Sequence, residues 1–190
     1  AYEISLGLEF RRVLFRSTLT PATVVSRDKQ IIREFVETNA RTVLKPIDGH
    51  GGKGIIFVEP GDTELMDIIQ SITFSGSHWV IAQEYLGAAT EGDKRILLLN
   101  GQPLGAVLRL HAEGEELNNL DQGGTALASE ITDRDREICS TLKDDLCNAG
   151  VVFAGIDIIG DMLMEINITS PTGLQEMCRF DRSEERRVGK

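Results

Sequence analysis

Asn100-Gly101 places the firmest constraint on how this chain can fold. The pair lies between residues 95–99 and 102–108, two apolar runs of strand character. Asn-Gly accepts positive φ at both central positions of a type I′ turn, whose twist matches that of paired strands. The chain is therefore predicted to fold back there as an antiparallel ribbon. Residues 153–159 and 163–168, about Gly160-Asp161, predict a second ribbon. Further strands are predicted at 23–26, 42–45, 55–58 and 79–85. Helices are predicted at 28–39, with Ser26 as its cap, at 64–73, and at 132–148. The last opens on Thr132 with Asp135 three residues later and is followed by Gly150. A helix is also expected after residues 169–172. Residues 111–128 are polar and Gly-containing and read as a long loop, the usual form of a lid. The class is α+β with largely antiparallel sheets.

The formal net charge of −10 argues against a nucleic-acid or anionic-membrane surface, which needs a basic stripe. No apolar run reaches the length of a membrane span. Cys139, Cys147 and Cys178 form no C-x-x-C pair, which suits a reducing, cytoplasmic setting. His50, His78 and His111 show no zinc spacing. Residues 1–17 and 182–190 carry arginine clusters without a period. They resemble translated sequencing-adapter sequence and are expected to be non-native, leaving residues 18–181 for fold reasoning. Without those ends the rest is more acidic still.

Several motifs carry chemistry. The first is Lys45-Pro-Ile-Asp-Gly-His-Gly51-Gly52-Lys53-Gly54. A strand follows it, so it is not a Rossmann turn. Lys53 precedes glycine, so it is not a Walker loop. Closely spaced glycines let backbone N–H groups approach an anion, with Lys45 and Lys53 adding charge; a surface turn with solvated lysines is the plain alternative. The second motif is Asp157 with Glu165 and Asn167. Period two puts Glu165 and Asn167 on one face, and with 160–162 as the loop Asp157 falls opposite Glu165. Two adjacent carboxylates repel unless a cation intervenes, and an all-oxygen set suits Mg²⁺. A solvated polar face explains the same pattern. Third, Arg95 and Arg109 lie near one end of the first ribbon, either as a clamp for phosphate or carboxylate or as ordinary surface arginines. Gln83-Glu84-Tyr85-Leu86 ends a strand, and Ser170-Pro171-Thr172 precedes a helix; a hinge and an N-cap are their plain readings.

Together these stretches resemble the ATP-grasp domain of bacterial glutathione synthetases. LTPATVVSR, VLKPIDGHGGKGI, AQEYL, GDKRILLLNGQPLGAVLRL and GIDIIGDMLMEINITSP follow that family in order and spacing. The resemblance implies two α+β subdomains whose largely antiparallel sheets enclose an ATP site. It implies that Lys45, Gly51, Gly52 and Lys53 hold phosphates and that Gln83, Glu84, Tyr85 and Leu86 contact adenine. Asp157, Glu165 and Asn167 would hold Mg²⁺, with Mn²⁺ a substitute. Arg95 and Arg109 would face phosphate and substrate, with catalytic roles. Ser170, Pro171 and Thr172 would lie near a peptide substrate. The implied reaction joins γ-glutamylcysteine to glycine through an acyl phosphate, with ATP cleaved to ADP. A homo-oligomer is expected of the full-length parent. Leu117 stands where the family's lid commonly carries arginine, which leaves open another carboxylate–amine ligase. A nonenzymatic nucleotide-binding module is the third reading. The family's N-terminal substrate domain is missing from the resemblance, so the chain alone is expected to be inactive.

Overall fold

A computed structural model describes residues 18–47, 54–110 and 125–180. Two units are distinct: residues 21–87, and residues 1–20 with 88–190. The expected terminal segments and most of the glycine loop, with Gly51, Gly52 and Lys53, lie outside the described residues. So does the 111–124 part of the lid, Leu117 included.

The smaller unit has a four-stranded antiparallel sheet. Its strands are β1 (Thr23–Ser26), β2 (Thr42–Pro46), β3 (Ile56–Val58) and β4 (Val80–Glu84), in the order β1-β4-β2-β3. Helices α1 (Lys29–Thr38) and α2 (Leu65–Ile72) supply Ile32, Val36, Leu65 and Ile69 to a core shared with Leu44, Val58, Val80 and Ala82. The cap of α1 is Asp28, not Ser26. Asp28 Oδ1 accepts from the N–H groups of Gln30 and Ile31, while Ser26 Oγ accepts from Asp28 N–H. Asp28 immediately precedes the first helical residue, so its carboxylate reaches the second and third helical N–H groups, whereas Ser26 sits two residues too early.

The larger unit has a five-stranded antiparallel sheet, ordered β7-β6-β5-β8-β9. Its strands are β5 (Asp93–Leu99), β6 (Gln102–Leu110), β7 (Thr125–Ser129), β8 (Phe153–Ile159) and β9 (Met162–Asn167). Asn100 and Gly101 have φ of 49° and 71°, as a type I′ turn requires. β7 is a departure from the expected loop: residues 125–129 pair with β6 along its full length. One sheet face packs on α3 (Asp133–Asn148), burying Ile96, Leu98, Ile156, Ile158 and Leu163 against Ile138, Leu142 and Leu146. Helix α4, residues 174–180, covers part of the other face through Met177 beside Leu97 and Val107. Among the described residues no helix is long and apolar enough to cross a membrane.

Candidate functional site

The rest of that second face carries the charged residues. Register places Arg95 opposite Asp157, Asp157 opposite Glu165, Asp93 opposite Arg109, and Gly155 opposite Asn167. Cross-strand partners share a face, so these six side chains form one polar surface across β6, β5, β8 and β9. Asp157 does lie opposite Glu165, but by another route than the loop length suggests. The turn is two residues long, with Ile159 opposite Met162, and a bulge on β9 opposite the Asp157–Ile158 step leaves Met164 as the extra residue. Without the bulge Glu165 would point to the core.

Both arginines are engaged. Arg95 grips Asp157 with Nε on Oδ1 and Nη2 on Oδ2, the latter at 2.7 Å. Its Nη1 donates to the carbonyl of Thr172 at 3.3 Å. Arg109 donates from Nε to Asp93 Oδ1 at 3.0 Å, from Nη2 to Asp93 Oδ2, and lies 2.9 Å from Asp157 Oδ2. Asp93, Arg95 and Asp157 are buried. Burial pushes Asp93 above its ordinary value, and the Arg109 guanidinium only partly opposes this. For Arg109, burial alone would favour losing the proton, but the bonds to Asp93 and the charge of Asp157 reverse that and raise its pKa. Arg109 therefore stays charged, and both guanidiniums are held by their carboxylate partners.

Gly155 lets a loop approach this surface. A Cβ there would stand 2.8 Å from Pro171 Cβ and 3.1 Å from Arg95 Cδ. Residues 170–172 are thus brought beside Arg95, and Asn167 Oδ1 accepts from Ser170 N–H at 3.4 Å. Asp157, Glu165 and Asn167 offer oxygen atoms as ligands, beside one further carboxylate, Asp93, and two guanidiniums that already engage both Asp157 oxygens. That chemistry fits a hard divalent cation. The set depends on the Asn167 carboxamide: among the described residues no three His, Cys, Asp and Glu side chains form a metal cluster.

In the smaller unit, Lys45 and Gln83 share the sheet face turned away from the helices. Lys45 Nζ donates to Gln83 Oε1 at 2.7 Å. Beyond β4, Tyr85 N–H donates to the Arg41 carbonyl at 2.9 Å. The Arg41 guanidinium lies 4.8 Å from the Phe57 ring centre and 4.5 Å from that of Tyr85. Arg41 does not stand out by sequence, and Asp93 does so only as a member of Gly92-Asp93-Lys94-Arg95, not as the partner of Arg109. Asp93 adjoins Lys94-Arg95, and its burial depends on a partner on the next strand. Arg41 lies in a polar connection whose only signal is the strand that follows.

A family model described as the prokaryotic glutathione synthetase ATP-grasp domain matches residues 11–182. The glutathione synthetase of Thermosynechococcus vestitus is 49% identical over 181 residues, covering 95% of this chain and 55% of that protein. That of Pseudomonas aeruginosa is 42% identical over 171 residues, covering 90% and 53%. The chain spans about half the length of the curated relatives it matches. Among solved structures, D-cycloserine synthetase DcsG superposes with a TM-score of 0.64 at 17% identity, covering 84% of this chain and 60% of that one. The ATP-grasp ligase PsnB, complexed with minimal precursor, Mg and ADP, gives 0.64 at 20%, covering 88% and 50%. D-alanine–D-alanine ligase from Bacillus anthracis, complexed with ATP, gives 0.59 at 16%, covering 90% and 58%. These likenesses show the ATP-grasp fold, and by sequence the chain belongs to the ATP-grasp domain family of prokaryotic glutathione synthetases.

Proposed function

We propose that this chain is the ATP-grasp portion of an enzyme that joins γ-glutamylcysteine to glycine, with ATP converted to ADP and phosphate. The observation that carries the reading is the polar face of the larger unit, where Arg95, Arg109, Asp93 and Asp157 interlock beside Glu165 and Asn167. The smaller unit contributes Lys45, Gly51, Gly52 and Lys53 toward phosphates and residues 83–86 toward adenine.

The dipeptide carboxylate attacks the γ-phosphorus, giving an acyl phosphate and ADP. The glycine amine then adds to the acyl carbon, loses a proton, and phosphate leaves from the tetrahedral species. Such chemistry needs charge neutralisation and positioning more than a strong base. Arg109, anchored on Asp93 and Asp157, presents a positive charge that requires no rearrangement as an oxyanion develops. Arg95 fixes Asp157 on one side and the 170–172 loop on the other, which aligns the segment assigned to the peptide substrate. Asp157, Glu165 and Asn167 would hold Mg²⁺, with Mn²⁺ a substitute, and the ion would neutralise phosphate charge. Three free thiols suit the reducing cytoplasm, and a homo-oligomeric parent belongs to the same reading.

In the full-length gene product, ADP release should require γ-glutamylcysteine and glycine together. Release supported equally by other amines, or none with glycine, would overturn the assignment. Glu165 is exposed; Glu165→Gln should therefore abolish turnover while leaving the unfolding midpoint in place. Retained turnover would remove Glu165 from the metal set.

A further inference from the structure

We infer that Thr23 is a positioning residue of the nucleotide site, acting through Gln83 on the Lys45 ammonium; this rests on the phosphate role given to Lys45 above. Strands β1, β4 and β2 lie side by side. Thr23 stands directly opposite Gln83, and Lys45 pairs with Ile81, two residues before Gln83 on β4. The three side chains share a face, and a diagonal step on a sheet is within reach of a lysine.

The hydrogen bonds have one consistent direction. The Thr23 hydroxyl has a single proton, donated to the Pro21 carbonyl at 2.9 Å. Toward Gln83 it can only accept, and Gln83 Nε2 donates to it at 3.0 Å. That settles which end of the carboxamide is which: Oε1 faces β2 and accepts from Lys45 Nζ at 2.7 Å. The reversed carboxamide would aim N–H donors at an ammonium that has donors only. Gln83 is 2% exposed, so water offers little substitute for these partners. Thr23 therefore reinforces, two hydrogen bonds away, the carboxamide orientation in which Lys45 meets an acceptor. A lysine held before ligand arrives has less side-chain freedom to lose on binding.

The test measures Mg·ADP affinity by calorimetry on the full-length gene product, wild type beside Thr23→Val, Thr23→Ser, Lys45→Met and Thr23→Val/Lys45→Met. Valine keeps the branched shape and loses the hydroxyl; serine keeps the hydroxyl. Thr23→Val should weaken binding by about threefold to tenfold, the scale of one hydrogen bond. Thr23→Ser should bind like wild type. In the Lys45→Met background Thr23→Val should have no further effect, since the two act as one unit. Unchanged affinity in Thr23→Val, or an equal loss with Lys45 already removed, overturns the relay while leaving the role of Lys45 intact. Unchanged affinity in Lys45→Met overturns the phosphate reading instead. A second measurement needs no nucleotide. The ¹⁵N-detected Lys45 ammonium signal should be slow to exchange in wild type and Thr23→Ser, and lost in Thr23→Val. A signal that persists in Thr23→Val refutes the relay directly.

Discussion

Asp93 carries opposing forces at the scale of a single residue. It is buried against Arg109, yet burial outweighs the guanidinium and its pKa lies above the ordinary 3.8. The folded state therefore holds a proton more readily than the unfolded chain does. Where the folded state binds more protons, stability falls as pH rises. The contribution from Asp93 is thus full below 3.8 and is lost as pH climbs through the raised folded value. Asn at this position cannot titrate. Comparing urea midpoints of the wild type and Asp93→Asn across that window isolates the effect. On acidification the difference should move in favour of the wild type and level off below 3.8. Movement toward Asp93→Asn would mean that the Arg109 bonds outweigh burial. The cost of burying Asp93 is consistent with its place on the proposed site. A buried ion pair is weak evidence for stability, and this one holds Arg109 in one position on the face proposed for the reaction.

Elements explain what could and could not be read in advance. The 100–101 turn and the capping pair of α3 are legible because their determinants are local: two adjacent residues in one case, two residues three positions apart in the other. The strand at 125–129 is not. Thr125, Ala126, Leu127, Ala128 and Ser129 lack alternation of their own, and the segment is a strand because β6 offers it a ladder. The position of Glu165 is legible only by a compensation, since one residue fewer in the turn is balanced by the extra Met164. Nor does the α3 cap reveal its second duty. Asp135 Oδ2 accepts from Thr132 N–H at 2.8 Å and also from Lys94 Nζ at 2.6 Å, tying the helix start to the strand that carries Asp93 and Arg95. Thr132→Ala should cost about 1 kcal/mol, the usual value of a cap. Asp135→Ala also strands Lys94 in a mostly buried position and should cost roughly 3 kcal/mol. Equal losses in urea denaturation would show that the Lys94 pair adds nothing beyond the cap.

At the scale of the whole molecule, each unit has a core of its own. Ile32, Val36, Leu44 and Ile69 belong to the smaller unit, and Ile96, Leu98, Leu142 and Ile156 to the larger. The chain provides a separate reporter for each. Its single tryptophan, Trp79, lies in the smaller unit; its three cysteines, Cys139, Cys147 and Cys178, all lie in the larger. Cys147 and Cys178 are exposed, whereas Cys139 is 1% exposed. Burial, helped by Asp135, pushes the Cys139 thiol up to about 11, so little thiolate exists near neutral pH. With the two exposed cysteines replaced by serine, Cys139 should react with a disulfide reagent only when the larger core opens. Trp79 fluorescence should follow the smaller core in the same urea series. Ile69→Ala empties a fully buried position and should destabilise its core by about 2–5 kcal/mol. It is expected to move the Trp79 curve and leave Cys139 labelling in place. Leu142→Ala, equally buried, should do the reverse. If either substitution shifts both curves together, the units unfold as one and the two cores are energetically a single body.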